Sequence, residues 1–341
     1  MNIPDFGTVL KETIHHNQGL AGAGSSADRF LIPMAWGDPG LGKTEITEQV
    51  AADLGLDLIY ADLATRDPAE LAGIPWVADG RTVRCRPDWL PDSGAGILFL
   101  DELPQAGIAN LNIAATLIRE HRIGEHVLPA DWMLVCAGNH QHNRAGTTTM
   151  PSQVRNRLSH FSIDADANAW AKWASARGLD PILVAYNRYR AEEFHHRFSP
   201  TENAYPTPRS WAAAHHVLQL DLAEPLKRAY LDGLVGSAAG ADFAGFQEIY
   251  ASLPDVDAII ADPGRGPLPS NAMTNYALMG ALGYRATPSN FANIIRYLDR
   301  LDEQEFAVVC VVDATARNKD LLVTGAYQSW AAAHGEMLSG H

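Results

Sequence analysis

The first sixty or so residues alternate between helix-like and strand-like spacing of apolar positions. Residues 5–20 have the spacing of a helix, and Phe30–Trp36 is an apolar, strand-like run that ends at Gly37. Lys43–Leu54 again has helical spacing, and Asp57–Leu63 is a second strand-like run. Alternating strands and helices predict a parallel sheet in a layered α/β fold.

Two further apolar runs follow in the same half of the chain. Gly96–Leu100 is unbroken and stops at Asp101 and Glu102, and Trp132–Ala137 forms another strand-like run. Unbroken rather than alternating apolar runs are typical of strands that are covered on both faces. Residues 105–120 lie between the two runs with helical spacing, so the alternation of strand and helix continues.

The strand pattern fades after Asp164, and this change is the predicted domain boundary. Residues 1–165 are assigned to the α/β domain. Short β-like pieces around Pro and Gly predict hairpin insertions in this domain near 70–90 and 121–129.

The second half of the chain is predicted to be all helical. We divide it into a lid over residues 166–222 and a C-terminal extension of unknown role over 223–341. A stretch rich in Pro and Gly, Leu253–Ser270, is predicted to be a long loop. The predicted helices span residues 166–177, 180–193, 208–220, 223–236, 273–285, 288–301 and 303–316.

Composition is that of an ordinary folded protein. Hydrophobic residues make up 47% and charged residues 19% of the chain, the net charge is −14, and there are 3 cysteines. The acidic total disfavours non-specific binding to nucleic acid or to anionic membranes. Few, odd-numbered cysteines indicate a reducing compartment, and no signal peptide or bilayer-length apolar run is present. We therefore expect a cytoplasmic protein without a membrane partner, and nucleic acid is not the expected partner.

A glycine-rich segment follows the first strand and fits the GxxxxGK[ST] pattern of phosphate-binding loops, the Walker A motif. Glycines let backbone N–H groups point at phosphate oxygens, and the helix behind them directs its positive N-terminal end at the same anion. Lys43 adds a mobile positive charge for the β- and γ-phosphates, and the Thr44 hydroxyl can bind Mg²⁺. The predicted nucleotide-binding residues are Gly37, Asp38, Pro39, Gly40, Leu41, Gly42, Lys43, Thr44 and Glu45.

Polar residues end the two later strands. Asp101 and Glu102 directly follow one of them, and Asn139 follows the other. Ligands of open parallel sheets lie beyond the carboxyl ends of the strands, so these residues belong at the same edge as Lys43. We expect Asp101 to hold Mg²⁺ and Glu102 to polarise the attacking water, because phosphoryl transfer needs mainly positioning and charge neutralisation. The neutral amide of Asn139 can hydrogen-bond both that water and a γ-phosphate oxygen.

Taken in order, these segments resemble the AAA+ superfamily of P-loop ATPases, and specifically its MoxR-like members. The resemblance covers roughly residues 28–220 and rests on GDPGLGKT, DPAELAGIP, PDWLPDSGAGILFLDELPQA, IREHRIGEHVLPADWMLVCAGN, MPSQVRNRLSHF and YPTPRSW. It implies a P-loop sheet sandwiched by helices and followed by an all-α lid, with ATP and Mg²⁺ as ligands. It also implies that the strand ending at Asn139 lies between the phosphate-loop strand and the acidic strand.

The same resemblance implies roles for three polar residues. Asn139 resembles the sensor-1 residue, Arg157 the arginine finger supplied to a neighbouring subunit's nucleotide, and Arg209 the sensor-2 arginine of the lid. Arg155 is the alternative finger, and Leu158 stands where the family usually has an aromatic residue. A permanently charged guanidinium stabilises the charge of a transferring phosphoryl group. A finger that acts in trans requires head-to-tail contacts, which close into a ring, and the resemblance implies a hexamer.

Three hypotheses for function stay open on the sequence. The first is an ATP-driven remodeller of a protein partner, which the resemblance suggests has a von Willebrand A-type domain. The second is a nucleic-acid motor that uses Arg81, Arg84 and Arg86 of the first insertion, against which the acidic total counts. The third is a nucleotide-binding scaffold without turnover, against which the intact Lys43, Asp101 and Glu102 argue.

Overall fold

The protein consists of two compact units, Met1–Asp164 and Ala165–His341. The structure is a computed structural model, and every structural statement concerns the residues that it describes, which are 1–23, 29–139, 150–196 and 202–338.

The first unit contains one five-stranded parallel sheet and two small antiparallel hairpins. Its strands are β1 (Pro33–Trp36), β2 (Asp57–Asp62), β3 (Pro75–Ala78), β4 (Arg81–Arg84), β5 (Gly96–Asp101), β6 (Arg122–Ile123), β7 (His126–Val127), β8 (Trp132–Gly138) and β9 (Ser159–Ser162). The sheet has the order β2-β5-β8-β1-β9, and β3–β4 and β6–β7 are the hairpins. Strand β8 therefore lies between β5 and β1, as expected from the resemblance.

Helices cover both faces of this sheet. They are α1 (Ile3–Gly22), α2 (Lys43–Leu54), α3 (Pro68–Ala72), α4 (Ile108–Glu120) and α5 (Ser152–Arg155). Phe6 of α1 contacts Phe161 of β9, whereas Val154 of α5 packs in one core with Met34 of β1. Because Met34 is paired with His160, the neighbour of Phe161, α1 and α5 lie on opposite faces.

The pattern of burial explains which strands the sequence revealed. Strand β8 is buried along its whole length, and so are the first five residues of β5, in keeping with their unbroken apolar runs. Strand β9 was not predicted, because Ser159–Ser162 alternates between intermediate and exposed positions at the sheet edge and has no apolar run.

The second unit is entirely helical within the described residues. Its helices are α6 (Ala167–Ala176), α7 (Pro181–Tyr189), α8 (Pro208–Leu218), α9 (Glu224–Val235), α10 (Ser237–Ala251), α11 (Val256–Ala261), α12 (Ala272–Arg285), α13 (Phe291–Leu298), α14 (Gln304–Arg317), α15 (Gly325–Ala333) and α16 (Gly335–Leu338). Together with the first unit, this arrangement confirms the predicted fold class, a P-loop parallel sheet sandwiched by helices and followed by a helical C-terminal part.

The helical unit differs from the sequence prediction in several details, among them α15 and α16, which were not predicted. Helix α10 was missed, because its alanines and glycines give no clear polar and apolar faces. The stretch Leu253–Ser270 is not one long loop, because it contains α11. The Asp255 side chain caps that helix by accepting hydrogen bonds from the N–H groups of Asp257 and Ala258.

Side chains from the predicted lid and the predicted extension share one core. Tyr186 of α7 lies 5.1 Å, between ring centroids, from both Trp211 of α8 and Phe243 of α10. Arg188 of α7 forms a buried, two-pronged ion pair with Asp313 of α14, with N–O distances of 2.6 and 3.1 Å. Residues on either side of 222 therefore pack as one body.

None of the helices among the described residues combines the length and the apolar character needed to cross a membrane.

Candidate functional site

The phosphate-loop segment joins the end of β1 to the start of α2. Gly40 and Gly42 have φ angles of 84° and 98°, which L side chains rarely adopt, so the loop needs glycine at both positions. At Gly37 the need is for space, because a Cβ atom would lie 2.9 Å from the Ile163 carbonyl oxygen. Helix α2 begins at Lys43 directly behind the loop, so its N-terminal N–H groups border it.

The other predicted loop residues occupy the same turn. Leu41 is buried with 5% exposure and anchors the loop in the core. Asp38 and Pro39 are half-buried in the loop, and Thr44 and Glu45 lie half-buried in the first turn of α2. Thr44 directly follows Lys43. Its hydroxyl therefore provides an oxygen ligand where a phosphate-bound cation would need one.

Lys43 is buried, with 9% exposure, and its ammonium group lies across the loop. Its Nζ atom donates hydrogen bonds to the carbonyl oxygens of Gly37 at 2.7 Å and Asp38 at 3.0 Å. It also donates to Oδ1 of Asn139 at 3.2 Å, which links the loop to the end of β8.

Asn139 bridges the lysine to the acidic pair. Its Nδ2 atom donates to both carboxylate oxygens of Glu102, at 3.0 and 3.2 Å, while its Oδ1 atom accepts from Lys43. The amide is buried, with 8% exposure. Three residues that come from three separate segments of the sequence are therefore brought together at the carboxyl edge of the sheet.

The backbone around Glu102 is adapted to this contact. Glu102 has φ 52° and ψ 31°, in the left-handed region, and precedes a 3₁₀ turn at Leu103–Gln105. This turn packs tightly on β8, because a Cβ atom at Gly138 would lie only 2.2 Å from Cδ of Pro104. A left-handed non-glycine residue costs about 1–3 kcal/mol and is common where function requires a defined side-chain direction.

Asp101 is held by one neighbour that sequence reasoning identified and one that it missed. Its Oδ1 atom accepts from the N–H of Glu102 at 2.8 Å, and its Oδ2 atom accepts from the Tyr60 hydroxyl at 3.1 Å. Burial raises the pKa of Tyr60, and the carboxylates of Asp101 and Asp62 raise it further, so the phenol stays a donor. The position of Tyr60 near Asp101 follows from the parallel pairing of β2 with β5. In that pairing Asp62 is the register partner of Asp101, and Tyr60 lies two residues before Asp62.

These residues fit a nucleoside triphosphate with Mg²⁺. The loop offers backbone N–H groups and a glycine position that a side chain would fill, and Lys43 offers an ammonium group at its centre. The Thr44 hydroxyl and the Asp101 carboxylate are the oxygen ligands that Mg²⁺ prefers. Glu102 follows Asp101 and accepts hydrogen bonds from Asn139, so its carboxylate is available to direct a water molecule at a phosphate chain bound in the loop.

The three predicted arginines come from two other segments of the chain. Arg155 ends α5 and Arg157 follows it, and both side chains are exposed. The guanidinium of Arg157 donates to the Gln153 carbonyl oxygen at 3.2 Å. Arg209 is exposed in the first turn of α8, in the second unit.

The two hairpin insertions of the first unit are hydrogen-bonded to each other. The N–H of Arg84 donates to Glu125 at 2.8 Å, and His126 bonds to the Arg84 carbonyl oxygen at 2.8 Å. The side chains of Arg84 and Arg86 are turned to backbone carbonyl oxygens, those of Gly73 for Arg84 and of Leu90, Pro91 and Val127 for Arg86.

The surface of these hairpins exposes apolar side chains beside the exposed Arg81 and Arg84. Ile74, Trp76 and Val77 are 65%, 64% and 70% exposed, and Val127 of the second hairpin is 59% exposed. Trp76 is paired with Val83, so these two side chains share one face of the first hairpin.

Comparison with known proteins adds only distant structural likenesses. No family model matches the sequence, and no curated protein matches it. A mutant of RuvB from Thermotoga maritima is 16% identical, with a TM-score of 0.42, over 83% of this chain and 85% of that chain. A structure described as the RuvB Holliday junction branch migration motor of the same organism is 16% identical, with a TM-score of 0.40, over 81% of both chains. Likenesses at this level do not carry function from one chain to another.

Proposed function

We propose that this chain is an ATPase of the AAA+ class that hydrolyses ATP in the presence of Mg²⁺. The observation that carries the proposal is the hydrogen-bonded series from Lys43 through Asn139 to Glu102. A phosphate-binding cation and a carboxylate base must lie within a few ångströms of each other to act on one phosphoryl group. An amide between them can bind the reacting oxygens on both sides.

Each residue of the group then has a defined task. Lys43 and the loop N–H groups bind the phosphates, and Thr44 and Asp101 hold Mg²⁺, which neutralises phosphate charge when bound. The Glu102 carboxylate accepts a hydrogen bond from the attacking water and orients it. Asn139 fixes the direction of that carboxylate. Tyr60 fixes the direction of Asp101 from the neighbouring strand.

We further propose that the active form is a homo-oligomeric ring, a hexamer by resemblance. Arg157 is exposed on the surface of the first unit, which suits a guanidinium that completes a neighbouring subunit's site. Arg155 is the alternative for this role. Arg209 is proposed to reach the γ-phosphate as the sensor-2 residue.

The proposed target of the motor is a protein, one with a von Willebrand A-type domain by resemblance. The exposed Ile74, Trp76 and Val77 offer apolar surface of the kind that binds polypeptide. A nucleic-acid channel would instead need free cations. Of the three arginines of the first insertion, Arg84 and Arg86 are engaged with backbone carbonyl oxygens, and Arg81 is exposed. The net charge of −14 also counts against a nucleic-acid target.

The variant Glu102→Gln tests the proposal most directly. Glutamine has the size of glutamate and can still contact Asn139, but it lacks the carboxylate charge. ATP binding is therefore expected to persist, while the turnover rate falls by at least about a hundredfold. Lys43→Ala is the matched variant and is expected to lose ATP binding itself. ATP binding, phosphate release and light scattering for assembly size are measured on both.

Two results would contradict the proposal. Normal turnover in Glu102→Gln would exclude Glu102 as the base, and unchanged ATP affinity in Lys43→Ala would exclude the loop as the phosphate site. For the target, polypeptides that bind the assembled Glu102→Gln protein are first captured. If DNA stimulates the ATPase rate of the unaltered protein and these polypeptides do not, the nucleic-acid hypothesis is favoured.

A further inference from the structure

A side-chain bridge joins the strand that carries the phosphate loop to the segment that carries the two arginines. Trp36 is the last residue of β1 and directly precedes Gly37 of the loop. Its indole Nε1–H donates to Nδ1 of His160 on β9 at 2.8 Å, with ring centroids 5.9 Å apart. The other ring nitrogen of His160, Nε2, lies 2.9 Å from the carbonyl oxygen of Arg155.

These two contacts define which imidazole nitrogen accepts and which donates. An indole N–H can only donate, so Nδ1 of His160 is the acceptor and carries no proton. Nε2 then carries the proton and donates it to the Arg155 carbonyl oxygen, which can only accept. Both ring nitrogens of His160 are therefore used in the bridge.

The segment held by the bridge has little stability of its own. Helix α5 spans only four residues, Ser152–Arg155, which is a single turn. A single turn is far below the length at which a helix is stable in isolation. It is anchored to the core by Val154 and Leu158, which are 1% and 7% exposed, while the two arginines between them are exposed.

We infer that Trp36 and His160 are positioning residues, which set the direction in which Arg157 is presented to the neighbouring subunit. The inference rests on the proposed function, because it assumes that an arginine of this segment acts across a subunit interface. Displacements of about 1 Å in a catalytic arrangement can cost on the order of a hundredfold in rate. A direct hydrogen-bonded link from the end of β1 to the Arg155 carbonyl limits such displacements.

The bridge also has a directional consequence. It belongs to the subunit that donates the arginine, whereas hydrolysis takes place on the nucleotide of its neighbour. Loss of the bridge should therefore slow hydrolysis mainly when the altered subunit is the arginine donor. A residue that merely stabilises the fold would show no such dependence on which subunit carries the change.

Mixed assemblies make it possible to alter the arginine donor and the recipient subunit separately. Subunits with Lys43→Ala retain Arg157 but cannot use their own loop, and subunits with Arg157→Ala retain the loop but lack the arginine. Each is expected to be inactive alone, and mixing them should restore turnover at the interfaces where both intact parts meet. His160→Ala is then added either to the Lys43→Ala donor or to the Arg157→Ala recipient.

With His160→Ala in the donor, we expect the restored rate to fall by about tenfold, with the KM for ATP changed by less than about twofold. The same change in the recipient should cost less than a third as much. Trp36→Phe in the donor should reproduce most of the loss, and the double variant should add little, because both residues act through one link. His16→Ala, an exposed histidine of α1, is the matched control and should leave the rate unchanged.

The possible failures are distinguishable. If the mixture without His160→Ala stays inactive although light scattering shows assembly, Arg157 does not act in trans, and the positioning role is excluded with it. If mixing restores turnover but His160→Ala has equal effects in donor and recipient, or none in the donor, the proposed function stands and the positioning role is overturned.

Discussion

The two units of the chain each bury a permanently or nearly permanently charged side chain, and they do so in different company. In the first unit, Lys43 donates to two carbonyl oxygens of its own loop and to the Asn139 amide. In the second unit, Arg188 meets the Asp313 carboxylate through two parallel hydrogen bonds and is 5% exposed. Under the proposed function the lysine exchanges its contacts for phosphate oxygens, whereas the arginine is matched by a fixed countercharge.

Under the proposed function, this difference distinguishes a charge that binds phosphate from a charge that holds helices together. Arg188 and Asp313 lie on α7 and α14, and Asn168 of α6 accepts a further hydrogen bond from Arg188 at 2.7 Å. Three helices therefore depend on one guanidinium group. Lys43, by contrast, contacts the loop and the residue after β8. These parts of the first unit are also held in place by the buried strands.

The largest expected effect is on the stability of the helical unit. Arg188→Met leaves the Asp313 carboxylate buried without its partner, so we expect a loss of about 3–5 kcal/mol of unfolding free energy. The double variant Arg188→Met with Asp313→Leu should recover most of it, because an apolar pair can replace a buried ion pair. Denaturant unfolding followed by circular dichroism measures both.

Lys43→Ala is the comparison for this experiment. We expect it to change the unfolding midpoint far less than Arg188→Met does. An equal loss of stability from Lys43→Ala would show that its buried charge also holds the fold together, and the contrast between the two units would fail.

The sequence was informative where function depends on local pattern. The loop Gly37–Thr44 and the pair Asp101 and Glu102 follow from spacing, because each lies next to a buried apolar strand. The contact of Asn139 with both Lys43 and Glu102 depends on the order of strands in the sheet, and only the family resemblance implied that order. That part could not follow from local spacing.

Other features depend on contacts between distant segments and gave no local signal. Arg188 and Asp313 are 125 residues apart in the chain, and Tyr60 and Asp101 are 41 apart. Helix α10 lacks two distinct faces, and β9 lacks an apolar run. Tertiary packing decides these elements, and a single sequence does not display it.

A second comparison concerns a buried histidine of the first unit. His121 is 3% exposed, its ring lies 5.1 Å from Phe30 in an edge-on arrangement, and neither ring nitrogen has a hydrogen-bond partner within the described part of the chain. Burial lowers the pKa of His121 from 6.5 to about 4. Unlike Arg188, this side chain stays buried by being neutral.

The sign of the resulting pH dependence follows from that lowered pKa. Between pH 6.5 and about 4 the unfolded chain binds a proton at His121 that the folded chain does not. Stability is therefore full above pH 6.5 and decreases as the pH falls toward 4, by up to about 3 kcal/mol. Denaturant unfolding at several pH values measures the slope.

His121→Asn is the control for this slope. Asparagine tolerates the left-handed backbone of this position, where φ is 49°, and does not titrate. The variant should lose most of the difference in stability between pH 6.5 and 4, whatever its absolute stability. A slope that persists in His121→Asn would assign the pH dependence to other groups.

The smallest expected effect concerns the hydroxyl of Tyr60. Tyr60→Phe removes one hydrogen bond to Asp101 and leaves the ring in place beside Phe99, 5.9 Å away between centroids. A single hydrogen bond to a carboxylate is worth about 1 kcal/mol here, so the Mg²⁺ concentration for half-maximal ATPase activity should rise by about fivefold. Tyr230→Phe, at an exposed position of α9 in the helical unit, is the matched control and should leave it unchanged. If Tyr60→Phe lowered the maximal rate while the Mg²⁺ requirement stayed the same, the tyrosine would act on Glu102 through the backbone rather than on the metal-binding carboxylate. The acidic pair would then have to be treated as one unit instead of two residues with separate tasks.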